Sequence, residues 1–223
     1  GQYLDSPENI HSLTASIELL EALISIQCRQ VVMAGTCAEY DAGFGYLHED
    51  TPALPATMYA ASKLACCHIC LQMARKAGIN LAWARIFYPY GPQEDERRII
   101  PSAIRALRQG RAFPSTPGGQ VRDYIHVEDV ATAFRTLLEK ESEGVFNIAS
   151  GIPVAMRALL QAIGDMIGRA DLLQFGKLPY REWDPAFICG DNTKLKKTGW
   201  APRISLDRGL RQTIEWWAAH DPV

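Results

Sequence analysis

The spacing of apolar residues changes several times along the chain. From residue 6 to about 23–26, they recur at helical spacing. Asp5-Ser6-Pro7-Glu8 reads as the start of that helix: Asp5 or Ser6 caps it, proline suits the first turn, and Glu8 completes a capping box with Asp5. Residues 29–34 form a short apolar run with β-branched members, which predicts a buried strand. Residues 35–55, dense in Gly, Asp and Pro, predict loop. A second helix is expected over 59–77 with Gly78 closing it, then a strand over 81–87. Strand, long helix, strand is a βαβ crossover, so the sheet is parallel.

After Pro89 the texture becomes a mixture of charge, proline and glycine, with a helix near 100–109. Further on the pattern predicts a strand at 124–126, a helix at 127–140, a strand at 144–149 and a helix at 157–167. The amphipathic stretch 206–218 carries Leu210, Ile214 and Trp217 on one stripe. There are no internal repeats.

Composition narrows the class. With 48% hydrophobic and 22% charged residues, the 223-residue chain is ordinary for a globular protein. A net charge of -2 offers no basic footprint for nucleic acid, and no apolar run is long enough for a membrane span. Six cysteines include the crowded Cys66-Cys67-His68-Ile69-Cys70. Zinc-ligand spacing is absent, so these are expected to pack as small hydrophobes. Scattered thiols suggest a reducing, cytoplasmic home.

Tyr59 and Lys63 carry the candidate chemistry. Four residues apart on a helix, they share one face. A phenol ordinarily ionises near ~10, and a neighbouring ammonium favours the phenolate. Such a pair suits proton transfer at a sugar or alcohol oxygen, although the spacing alone is a weak signal.

Its context is more specific. Val32-Met33-Ala34-Gly35-Thr36 with Tyr40 ends a strand in a hydroxyl residue; Glu49-Asp50-Thr51-Pro52 and Pro55 precede Tyr59 and Lys63. Then come Arg85-Ile86-Phe87-Tyr88-Pro89-Tyr90-Gly91-Pro92, Arg122-Asp123-Tyr124-Ile125-His126-Val127-Glu128-Asp129-Val130-Ala131 and Phe146-Asn147-Ile148-Ala149-Ser150-Gly151. Asp191-Asn192-Thr193-Lys194 and Gly199-Trp200-Ala201-Pro202 complete the series. In this order the blocks resemble the extended short-chain dehydrogenase/reductase family of NAD-dependent nucleotide-sugar epimerases and dehydratases.

The resemblance implies an α/β fold: part of a doubly wound parallel (Rossmann-like) sheet, residues 1–90 and 124–150, with a smaller substrate-binding domain, 91–123 and 151–223, interleaved. It implies Tyr59 as the catalytic acid/base, Lys63 as the group that tunes it and holds the cofactor ribose, and Thr36 as the hydroxyl on the substrate oxygen. Phe87 and Pro89 would line a nicotinamide pocket for NAD or NADP. Arg122 and Arg181 would grip the diphosphate of a nucleotide-sugar, a role that suits the bidentate guanidinium. Tyr88 stands where several relatives have an asparagine touching substrate. His126 is expected to be a packed core histidine. The first two helices would pair with a twin, making a homodimer.

Two departures from the family matter. The glycine-rich βαβ turn that cradles a dinucleotide pyrophosphate is missing, so the parent protein is expected to have an N-terminal segment not included in this chain. Cys37 and Ala38 follow Thr36 where 4,6-dehydratases have Asp and Glu, which disfavours water loss and leaves a 4-epimerase or 4-ketoreductase. A 3,5-epimerase cysteine would align with Ala38, leaving Cys37 either an acid or a packing residue. The rival expectation is a truncated, non-catalytic relative that binds only a nucleotide-sugar or a partner chain.

Overall fold

The computed structural model describes residues 2–181 and 184–221. Its elements, in chain order, begin with α1 (Glu8–Ser25), β1 (Gln30–Thr36), β2 (Tyr46–Leu47), α2 (Met58–Ala77), β3 (Asn80–Ile86) and β4 (Tyr88–Tyr90). Next come α3 (Ile99–Arg108), β5 (Phe113–Pro114), β6 (Val121–His126), α4 (Val127–Glu139), β7 (Gly144–Ile148), β8 (Pro153–Ala155) and α5 (Met156–Ile167). The chain finishes with β9 (Leu173–Gln174), β10 (Cys189–Gly190), α6 (Thr193–Lys196) and α7 (Leu206–His220).

The expected βαβ crossover is present. β1 and β3 pair in parallel, with Thr36 opposite Ile86, and β7 joins the other side of β3 to give the order β1-β3-β7. Both faces of this sheet are covered, which is why its strands read as apolar runs. On β3, Leu81 and Trp83 pack with Leu20 of α1 and with Cys66, Cys67, Cys70 and Ala74 of α2. Ala82 and Ala84 point the other way, toward Ala133 and Leu137 of α4 and toward Leu195 and Trp200. The crowded cysteines are thus core residues, between 0% and 3% exposed.

A separate apolar cluster joins α3, α5 and α7 through Ile100, Ile104, Leu107, Leu159, Leu160, Ile163, Leu210 and Trp217. The expected stripe of α7 therefore faces inward. β6 lies between the two cores, giving Ile125 to the sheet cluster and Tyr124 to the helical one. It pairs in parallel with β4 and antiparallel with β8. The fully buried Asp123 carboxylate accepts hydrogen bonds from the backbone N–H of Ser150, Gly151 and Gly190 and from the Ser150 hydroxyl.

The start of α1 differs from expectation. Glu8 N–H donates to the Ser6 hydroxyl at 3.3 Å, but Asp5 forms no capping box with Glu8. Its Oδ1 accepts instead from the backbone N–H of Met58 at 3.3 Å, at the head of α2. Thr57 caps the same helix by accepting from Ala60 N–H at 3.2 Å. At the far end Gly78 adopts φ +68°, a left-handed turn that glycine enters without a Cβ penalty.

Candidate active site

The C-terminal ends of β1, β3 and β7 converge on one edge of the sheet, where open α/β sheets bind ligands. Thr36 is the last residue of β1, in extended backbone, and its hydroxyl accepts from Ala38 N–H at 3.3 Å. The Tyr59 phenol lies beside the same hydroxyl, near enough to be influenced by it. Burial, the larger influence, pushes that phenol above its ordinary value, while Thr36 pulls it down. The Tyr3 ring stands edge-on against Tyr59, centroids 5.5 Å apart.

Lys63 lies one turn further along α2. Its Nζ donates to the carbonyl of Ala34 on β1 at 3.0 Å. Tyr59 and Lys63 share a cavity of about 290 Å³ with Ser62 and Cys66 of α2 and with Asn9, Ser12, Leu13 and Ser16 of α1. The three residues singled out for proton transfer are therefore gathered at one strand end.

The expected pocket-lining residues differ in exposure. Phe87 is 1% exposed and packed with Tyr40, Leu47, Ala149 and Ile188. The backbone explains this: Phe87 N–H bonds Ile148 O at the β3–β7 end, which turns the ring into the interior. Pro89 is half-buried in β4. Tyr88 is half-buried, and burial raises its phenol well above the ordinary range.

Arg122 is 3% exposed, ion-paired with Asp184, and its guanidinium lies 5.4 Å from the centre of the Tyr88 ring. Asp184 also accepts from the Gln120 side-chain amide at 3.2 Å. Arg181 lies in the exposed stretch just before Asp184, and the two residues between them, Glu182 and Trp183, fall outside the described residues. His126 is a core histidine as expected: its Nδ1 accepts from Glu128 N–H at 3.3 Å, its ring meets Tyr90 edge-on, and burial lowers its pKa.

Residues 2–149 match the profile of the NAD dependent epimerase/dehydratase family. The chain belongs to that family. One relative is a trifunctional UDP-glucose 4,6-dehydratase/UDP-4-keto-6-deoxy-D-glucose 3,5-epimerase/UDP-4-keto-L-rhamnose-reductase of Arabidopsis thaliana, 30% identical over 207 residues. That match takes in 89% of this chain and 31% of the plant protein, so the chain spans about a third of that relative's length. Among solved structures, a UDP-N-acetylglucosamine 4-epimerase from Methanobrevibacter ruminantium, in complex with UDP-N-acetylmuramic acid, superposes with a TM-score of 0.87 at 26% identity. It covers 93% of this chain and 68% of the other. The Thermus thermophilus UDP-glucose 4-epimerase complex with NAD gives 0.82 at 25% identity, covering 93% and 69%. Family members are nucleotide-sugar epimerases, dehydratases and reductases, and structural neighbours hold NAD or NADPH.

Within this NAD dependent epimerase/dehydratase chain, Cys37 is half-buried. Burial first, then the Asp123 carboxylate, pushes its thiol up to about 12. It carries its proton throughout the neutral range. With alanine at position 38, no acidic side chain stands at either residue directly after Thr36.

Sequence reasoning missed the polar network beneath the site. Glu39, 0% exposed, accepts from Thr36 N–H at 2.8 Å, from the Trp83 indole at 3.0 and 3.2 Å, and from Arg85 Nε at 2.7 Å. The Arg85 guanidinium lies 4.1 Å over the Tyr40 ring, and the Tyr40 hydroxyl donates to Asn147 at 2.6 Å. The signal was available: Thr36-Cys37-Ala38-Glu39 has capping-box spacing, and both halves of the box are formed.

Proposed function

We propose that this chain forms the acid/base and sugar-binding part of an NAD(P)-dependent nucleotide-sugar epimerase or 4-ketoreductase. The observation that carries the reading is Tyr59 set beside Thr36 at the end of β1, with Lys63 lining the same cavity as Tyr59. Residues 1–90 and 124–150 would serve as the sheet-bearing domain, and 91–123 with 151–223 as the substrate domain.

The donor set suits a nicotinamide ribose beside a sugar carbinol. Lys63 and Tyr59 would hold the ribose, and NAD or NADP supplies the two-electron hydride acceptor that side chains lack. Once the Lys63 ammonium turns from Ala34 to lower the phenol's pKa, Tyr59 as the phenolate takes the proton from the carbinol oxygen, and Thr36 donates a hydrogen bond to that oxygen as it becomes a ketone. Reduction reverses both roles. For Lys63 to reach a ribose, its ammonium leaves the Ala34 carbonyl. For Arg122 to meet a diphosphate, the Asp184 carboxylate gives way or is shared. Ketone formation with the proton on Tyr59 needs no further acid, in keeping with the protonated Cys37 and with Ala38. Tyr88 and Arg181 are proposed to complete the sugar and phosphate contacts.

The exposed apolar residues Ile10 and Leu19 of α1 and Ile69 of α2 support a homodimer through those helices.

The test is titration of the 223-residue chain with NADH and NADPH, followed by nicotinamide fluorescence, and then turnover of nucleotide-sugars. Saturable binding lost in Lys63→Ala, with turnover lost in Tyr59→Phe, supports the reading. A folded chain that binds neither cofactor nor a nucleotide-sugar fails it. That result favours the second reading, a non-catalytic relative, for which the engagement of Lys63 with Ala34 and of Arg122 with Asp184 speaks.

A further inference from the structure

We propose that Glu39 is a positioning residue: its buried carboxylate fixes the first turn after β1 and so aims the Thr36 hydroxyl at the Tyr59 phenol. This rests on the Tyr59-centred reading of the site and adds a residue to it.

Three donors from different places meet on this one carboxylate. Oε1 receives Thr36 N–H and the Trp83 indole; Oε2 receives Arg85 Nε and shares the indole. A carboxylate is the only side chain that accepts at both oxygens without presenting a proton of its own. The indole reaches Glu39 by crossing the backbone of Gly35, where an added Cβ would lie 2.1 Å from Trp83 Nε1. Gly35, Thr36 and Glu39 are therefore shaped around one another. The chain continues outward through Arg85, Tyr40 and Asn147, whose side-chain amide donates to Leu47 O at 2.9 Å and Asp191 O at 3.1 Å. The C-terminal ends of β1, β3 and β7 are tied together beneath the candidate active site.

Stability alone is a poor reason for this arrangement. A buried ion pair contributes little beyond what well-packed apolar side chains of similar volume would. What an apolar residue at position 39 would not supply is an acceptor for Thr36 N–H. That bond and the Thr36 hydroxyl's own bond to Ala38 N–H close the capping box. With the backbone of Thr36 held by Glu39 and its hydroxyl by Ala38 N–H, the hydroxyl is kept beside Tyr59.

The experiment uses Glu39→Gln and Glu39→Asp in the full chain. Glu39→Asp keeps a negative charge near Arg85 but draws the carboxylate back from Thr36. The principal readout is the nuclear Overhauser contact between the Thr36 methyl group and the Tyr59 ring, assigned with Tyr59→Phe. We expect it to weaken at least threefold in either folded variant. Where turnover is established, kcat should fall about 10- to 100-fold with KM unchanged, as for a misaligned catalytic group. A folded variant that keeps the full contact overturns the proposal, whatever its melting temperature. If neither variant folds, hydrogen exchange in the native chain decides. A Thr36 amide protected beyond that of Ala38 supports the proposal, and one exchanging at the free-peptide rate overturns it. The contact is read without substrate or cofactor. A chain with no turnover whose contact responds to Glu39→Gln would retain the positioning role while the functional reading fails.

Discussion

Glu94 shows how a single side chain can make this fold sensitive to pH. Burial is the main reason its carboxyl is raised from 4.5 to about 7, with Arg98 acting in the opposite direction, and its Oε2 has no hydrogen-bond partner. A carboxyl whose pKa is raised on folding binds its proton more tightly in the native state, so stability falls as pH rises from 4.5 through 7. Glu94→Gln should therefore gain over the parent chain on the order of 2–3 kcal/mol between pH 5 and pH 8, read from urea midpoints at both values. At Cys37 the thiol stays protonated at neutral pH, and Cys37→Ala should leave the neutral limb of a pH–rate profile where it was. A Cys37 acid would instead remove that limb. Tyr59→Phe should lower turnover about 10²- to 10⁴-fold, the usual contribution of a positioned acid/base, with the melting temperature nearly unchanged.

At the scale of elements, the helix that carries Tyr59 is held at its head by two acceptors, Thr57 and the distant Asp5. Thr57→Ala should cost about 1 kcal/mol, and Asp5→Ala should act on the same helix although it lies outside it. Gly35→Ala is the harsher change. Its Cβ would meet the Trp83 indole, an overpacking cost of up to about 3 kcal/mol in a denaturant melt. The long elements were legible in the sequence because period and caps coincide: apolar runs at 29–34 and 81–87, Gly78 after a helix, Leu210, Ile214 and Trp217 on one stripe. The short strands β2, β5, β9 and β10 were not, since two residues carry no period and exist only through their pairing partners. Asp5 was read as a local cap because Glu8 stands three residues on; its partner, 53 residues away, is a tertiary fact. Tyr59, Lys63 and Thr36 are singled out by motif. Glu39 was passed over because a Glu in a loop reads as a solvated charge unless its capping-box spacing is noticed.

At the scale of the whole molecule, β1 is paired on one side only among the described residues, and its apolar centre leaves Ala34 exposed. An unprotected apolar edge invites strand pairing between copies. Concentrated solutions of the chain should show concentration-dependent association in sedimentation, and Ala34→Lys should reduce it. The Asp123 carboxylate carries a consequence for the order of assembly. Its donors come from 27, 28 and 67 residues further along the chain, so its shell cannot close until two loops of very different length have both returned. Closing the longer loop loses more chain entropy and rewards it late. The β1–α2–β3 crossover can form from neighbouring sequence, whereas the seam at Asp123 waits for residues 189–190 to arrive. Refolding followed at Trp83 should then run ahead of refolding followed at the Asp123 seam, and the candidate site would become competent only with the slower of the two.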